Sequence, residues 1–175
     1  YDLAQYNYTF DTADVTKITY ADGHERYLPH LASAPFRYST YAVEYLKVAQ
    51  KFTQRPLKQA VIAPSALSLV YTNPSIKNYS REQFLNDLIN ESEKDVRLCL
   101  EAGADKVQLD FAKAKLSLKI DPTGQLLKDF ISINNRLLER FNDNERDKLG
   151  VHICSGIFSF LFFSFLLSTF FNLLI

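Results

Sequence analysis

Short apolar runs alternate with longer amphipathic segments along the middle of the chain, and this alternation constrains the fold more than any other feature. The apolar runs predict buried strands at 59–63, 106–111 and 149–154. Strands that alternate with helices in this way are typically parallel and joined by right-handed crossovers.

Two long segments between these strands have the apolar spacing of amphipathic helices, at 80–102 and 124–141. Ser80 is followed three residues later by Gln83, which is the pattern of a capping box at a helix start. Gly103 stands where a helix commonly ends, because glycine adopts the left-handed backbone conformation without strain. The sequence therefore fixes both ends of the first long helix.

The segment before the first buried strand carries weaker signals. Asp22-Gly23 lies between two extended runs within 15–27 and predicts a hairpin. A shorter helix is predicted over 40–52 from the spacing of its apolar residues.

These elements predict an α/β chain that forms part of a (β/α)₈ TIM barrel, namely its N-terminal portion. A complete barrel needs roughly 250 residues, whereas this chain has 175. We expect three or four of the eight strand–helix units. A flavodoxin-like sheet fits the length but needs more strands than the sequence shows, so it is the second interpretation.

Composition narrows the class of protein. Lys plus Arg and Asp plus Glu both number 20, and this balance argues against an electrostatic nucleic-acid binder. The 2 cysteines are too few for a disulfide framework and favour a reducing, cytoplasmic setting. The chain begins with Tyr1 and contains no methionine, so we expect that its original N-terminus was lost or processed.

The composition changes abruptly near the C-terminus. Residues 155–175 contain no charged side chain and hold half of the 14 phenylalanines. The chain therefore divides into 1–156, a partial barrel, and 157–175, an apolar tail. The tail approaches the roughly 20 residues of a membrane-spanning helix, but no basic cluster flanks it. We favour non-native translation, such as a pyrimidine-rich intron read in frame, over a membrane helix.

Two places in the sequence carry chemistry. His152 and Cys154 lie two apart in a predicted strand, so both side chains point to one face, and imidazole and thiolate are good zinc ligands. Asp110 ends another predicted strand, where burying a carboxylate is costly unless it is paired or used. The alternatives are core packing for the first pair, and a helix cap or a lysine partner for Asp110.

Other candidate residues are weaker. Cys99 falls on the inner face of a helix and is expected in the core, whereas Ser65 follows a strand end and could line a pocket. His24 and His30 lie in predicted turn or loop segments.

Five segments resemble, in unbroken order, the C-terminal domain of the cobalamin-independent methionine synthase family. They are PFRYSTYAVEYL, RPLKQAVIAPSALSLVY, YSREQFLNDLINESEKDVRLCLEAGADKVQLDF, LSLKIDPTGQLLKDFISINNRLLERF and GVHICSG. The resemblance spans about residues 35–156 and is greatest to stand-alone relatives that lack the N-terminal duplicate barrel.

The resemblance implies a uroporphyrinogen-decarboxylase-like and methionine-synthase-like (β/α)₈ barrel that binds zinc. It implies a methyltransferase that activates a thiol such as homocysteine as a thiolate, for attack on a donor such as methyltetrahydrofolate. The family's His-x-Cys metal ligands match His152 and Cys154, and its aspartate that contacts the substrate amino group matches Asp110.

The resemblance ends at Gly156. The family's remaining zinc ligands, a glutamate and a second cysteine, have no counterpart in 155–175, so the zinc site is incomplete in this chain and the fragment is expected to be inactive. Two alternatives to the methyltransferase remain: another enzyme on the uroporphyrinogen-decarboxylase-like barrel, which needs no metal, and an inactive fragment tethered to a membrane by 157–175.

Overall fold

The computed structural model describes residues 10–19, 23, 25–31, 33–71 and 76–153. Over these residues the chain is a mixed α/β protein with a small parallel sheet and several helices. The apolar segment 157–175 lies outside the described residues, as does Cys154. Within the described residues, no helix is both long and apolar enough to cross a membrane.

The strands and helices follow the predicted alternation. The strands are β1 (Phe10–Thr19), β2 (Glu25–Leu31), β3 (Lys58–Ile62), β4 (Lys106–Asp110) and β5 (Leu149–His152). The helices are α1 (Val43–Gln50), α2 (Pro64–Leu67), α3 (Arg81–Glu101), α4 (Ala114–Ile120), α5 (Gln125–Leu138) and α6 (Asp143–Arg146), with a 3-10 turn at Ser68–Val70.

Strands β1 and β2 form the predicted antiparallel hairpin, with Thr19 opposite Glu25. Gly23, in the connection, has a φ of +80°, a value that glycine adopts without a steric penalty. The hairpin shares no strand with the second sheet.

Strands β3, β4 and β5 form a parallel sheet in that order, which confirms the predicted strand direction. Within the described residues this sheet has three strands, so they do not form a closed barrel. β4 is central and is hydrogen-bonded on both sides.

Helix α3 begins where the sequence predicts. Ser80 accepts a hydrogen bond from the Gln83 backbone, and the Gln83 side chain accepts one from the Ser80 backbone. The helix ends before Gly103, whose φ is +87°. Both termini are therefore set by local chemistry.

Helices α1, α3 and α5 cover one face of the parallel sheet. The core on that face includes Val61, Leu109 and Phe111 from the sheet side, together with Val96 of α3 and Phe130 of α5. A second apolar cluster joins the end of β2 to α2 and the first half of α3.

The opposite face of the parallel sheet is polar and partly exposed over most of its length, although Ile62 at the end of β3 is buried there in the second cluster. This face carries Lys58, Lys106 and Gln108, and the Lys58 ammonium donates to Gln108 Oε1 at 2.7 Å. In a closed barrel this face would point inward. The burial pattern thus agrees with helices packed on one side of the sheet.

Candidate functional site

Asp110 and His152 meet at the carboxyl ends of two neighbouring parallel strands. Asp110 is the last residue of β4, His152 is the last residue of β5, and the two pair directly in the register of the sheet. Paired residues of adjacent strands project to the same face. On that face the neighbouring register partner in β3, Ile62, is buried in the second apolar cluster, whereas the His152 side chain is exposed.

The two side chains are in contact. Asp110 Oδ1 lies 3.2 Å from His152 Nδ1, although the residues are separated by 42 positions in sequence. The same oxygen accepts a hydrogen bond from the Ala112 backbone at 3.1 Å. The His152 side chain is 44% exposed and that of Asp110 is 16% exposed. The imidazole is therefore accessible, whereas the carboxylate is mostly covered.

The structure brings together two of the three residues singled out for chemistry. Cys154 lies outside the described residues, so its position relative to His152 stays a prediction. Across the part of the chain that the structure describes, no group of three or more His, Cys, Asp or Glu side chains could hold a metal ion.

Three of the four weaker candidate residues lie in the described part of the chain. Cys99 is fully buried in the core beneath the sheet, and burial raises the pKa of its thiol to about 12. Ser65 is fully buried in α2, where its backbone N–H donates to Asn134 Oδ1 at 3.3 Å. His30 lies half-buried in β2, and His24 is outside the described residues. Cys99 and Ser65 thus belong to the packed interior.

A row of carboxylates on α3, which the sequence patterns did not predict as a site, is formed by Asp87, Glu91 and Asp95. These residues lie four apart, so they share one side of the helix. The row binds the segment at 36–42 that leads into α1. Its spacing was visible in the sequence, but acidic residues on a helix are more often part of a solvated face.

In the carboxylate row, Glu91 binds a backbone and a side-chain donor, whereas Asp87 binds two side chains. Glu91 Oε2 accepts from the Tyr38 backbone at 3.1 Å and from the Tyr41 hydroxyl at 2.6 Å. Asp87 accepts from the Tyr79 hydroxyl at 2.6 Å and pairs with Arg37 at 2.8 Å. The arginine compensates part of the negative charge.

Asp95, the third member of the row, has a raised pKa. It is buried and accepts a hydrogen bond from the Ala42 backbone at 2.7 Å, at the N-terminus of α1. Burial raises the pKa of Asp95 to about 7, and the negative charge of Glu91 adds to the increase, whereas the Ala42 hydrogen bond opposes it. Burial also raises the pKa of Tyr79 above its usual range.

The described fold has a solved structural neighbour. It is similar to a B12-independent methionine synthase from Shewanella sp. W3-18-1, whose structure was determined in complex with selenomethionine, with a TM-score of 0.59 and 20% sequence identity. The similarity covers 88% of this chain and 42% of that chain, so this chain spans less than half of that protein. No family model matches the chain, and no curated protein matches it in sequence. The comparisons therefore show that the chain shares the fold of part of a B12-independent methionine synthase.

Proposed function

We propose that the chain is a fragment of a zinc-dependent methyltransferase that activates a small-molecule thiol, such as homocysteine, for attack on a methyl donor such as methyltetrahydrofolate. The observation that carries this proposal is the Asp110–His152 contact at the carboxyl edge of a parallel sheet. Enzymes with parallel α/β architecture build their sites at that edge.

The donor chemistry of the proposed ligands fits zinc. His152 presents a ring nitrogen on an exposed side chain, and Cys154 follows two residues later with a thiol. Zinc sites combine such nitrogen and sulfur ligands, usually about four in structural sites and three in catalytic ones. The two residues supply part of such a set.

Zinc bound at such a site would lower the pKa of a substrate thiol, so that the thiolate is populated near neutral pH. Asp110 is proposed to contact a substrate amino group, since a mostly covered carboxylate pairs favourably with a cationic amine. The product would carry the methyl group on sulfur. The proposed partners are thus two small molecules, and no nucleic acid is involved.

Equilibrium dialysis against zinc tests the metal assignment in the 175-residue chain, kept in a mild non-ionic detergent because of its apolar tail. We expect weak binding of about one zinc per chain, since two protein ligands hold zinc less firmly than three or four. Cys154→Ser should abolish most of this binding. Cys99→Ala is the matched control, because Cys99 is buried in the core, and it should leave zinc binding unchanged.

Equal zinc binding by wild type and Cys154→Ser would contradict the assignment. Absence of zinc binding by the wild-type chain would instead favour the metal-free, uroporphyrinogen-decarboxylase-like alternative. Folding of each variant is checked by circular dichroism before dialysis.

A further inference from the structure

The Asp110–His152 contact defines which ring nitrogen of the histidine faces protein. Asp110 Oδ1 approaches Nδ1, so Nε2 lies on the side of the imidazole away from this contact. In a neutral imidazole one nitrogen carries the proton and the other has the lone pair. A carboxylate next to Nδ1 favours the proton there, because the N–H can then donate to the negative oxygen.

The Asp110 side chain is held in place by more contacts than the His152 side chain. It ends the central strand β4, which is paired on both sides, with Ile62 of β3 and His152 of β5 as its register partners. Its Oδ1 also accepts the Ala112 backbone N–H, which ties the carboxylate to the turn after β4. The His152 side chain is the more exposed of the two. The carboxylate is therefore suited to orient the imidazole.

We propose that Asp110 is a positioning residue that holds His152 as the Nδ1–H tautomer and so presents Nε2 as the metal-binding atom. This inference rests on the proposed zinc function. Histidine ligands of metals commonly donate their second ring N–H to a carboxylate, which fixes the tautomer and makes the ligating nitrogen more basic. Asp110 would act on the metal through His152, in addition to its proposed contact with substrate.

The tautomer is measured directly, without metal, by nitrogen-15 NMR of the imidazoles in the histidine-labelled 175-residue chain. The chain has 3 histidines, and His152→Gln identifies the relevant signals. In the spectra that show the neutral imidazole, we expect His152 to carry its proton on Nδ1. In Asp110→Ala we expect most molecules to carry it on Nε2.

Asp105→Asn is the matched control, because Asp105 is an exposed aspartate at the opposite end of β4. Its tautomer populations should equal those of the wild type. Asp110→Asn keeps an oxygen acceptor in the same place, so we expect the Nδ1–H form to persist. If Asp110→Ala does not fold, the wild-type spectrum decides the question: a predominant Nε2–H form in the wild type overturns the proposal.

Zinc affinity supplies the second readout. We expect Asp110→Ala to weaken zinc binding by about 10–100-fold, and Asp110→Asn to weaken it by much less. A tautomer that is unchanged in folded Asp110→Ala overturns the inference, even if the chain binds zinc through Cys154. Loss of zinc binding in Cys154→Ser with no tautomer change there supports both assignments independently.

Discussion

The ionisation of Asp95 should make the free energy of unfolding depend on pH. Its folded-state pKa of about 7 lies above the ordinary value of 3.8. A carboxyl group with a raised pKa favours the folded state fully below its unfolded pKa, and this contribution is lost as pH rises through the folded pKa. The contribution should therefore fall between about pH 4 and pH 7.

We predict that Asp95→Asn makes the chain less sensitive to pH over this interval. The asparagine oxygen can still accept the Ala42 hydrogen bond, and it carries no charge to desolvate. At 1.36 kcal/mol per pKa unit, the difference between wild type and variant should change by at most about 4 kcal/mol. Denaturant unfolding at several pH values measures it.

The control for this prediction is Asp143→Asn. Asp143 is exposed at the start of α6, so its substitution should leave the pH dependence of unfolding close to that of the wild type. Parallel pH profiles for the wild type and Asp95→Asn would show that the Asp95 ionisation does not contribute to stability.

Among the secondary-structure elements, those with local end signals were predictable from sequence. The boundaries of α3 are set by residues close to each end, namely the capping pair Ser80 and Gln83 and the glycine that follows the helix. The short helices α2 and α4 and the 3-10 turn were missed. They are too short to show an apolar period, and in α2 Pro64 looks like a strand terminator, although it also suits the first turn of a helix.

We predict that Ser80→Ala lowers the free energy of unfolding by about 1 kcal/mol, because it leaves a backbone donor at the start of α3 without its cap. Thermal or denaturant unfolding measures the change. Ser132→Ala, at an exposed position within α5, is the comparison variant. Alanine favours the helical state there, so this variant should be unchanged or slightly more stable. An unchanged midpoint for Ser80→Ala would show that the cap is not needed.

The parallel sheet is packed against helices along one face, whereas its other face is mostly polar and partly exposed, with Ile62 buried at the end of β3. Leu109 is 1% exposed on the helix-covered face, whereas its neighbour Gln108 lies on the polar face. We predict that Leu109→Ala costs about 2–5 kcal/mol of stability. Gln108→Ala, which removes a hydrogen bond with Lys58, should cost about 1 kcal/mol or less. Equal costs in urea unfolding would contradict one-sided packing.

The candidate site was predictable only in part, because the sequence shows its residues but not the contact between them. The residue types and their places at strand ends identify Asp110 and His152 from the sequence. Their contact depends on the register between β4 and β5, which pairs two residues that lie 42 positions apart in the sequence. The carboxylate row on α3 was missed for the same reason, since its partners lie in a segment about 50 residues earlier in the chain.

The proposed methyltransferase function requires a nitrogen-and-sulfur zinc site built on His152 and Cys154. X-ray absorption at the zinc edge of the zinc-loaded 175-residue chain measures the ligands of the metal. We expect one sulfur at about 2.3 Å and imidazole nitrogen at about 2.0 Å from zinc, with the sulfur lost in Cys154→Ser and retained in Cys99→Ala. A coordination shell of oxygen and nitrogen alone in the wild-type chain would show that Cys154 does not bind zinc.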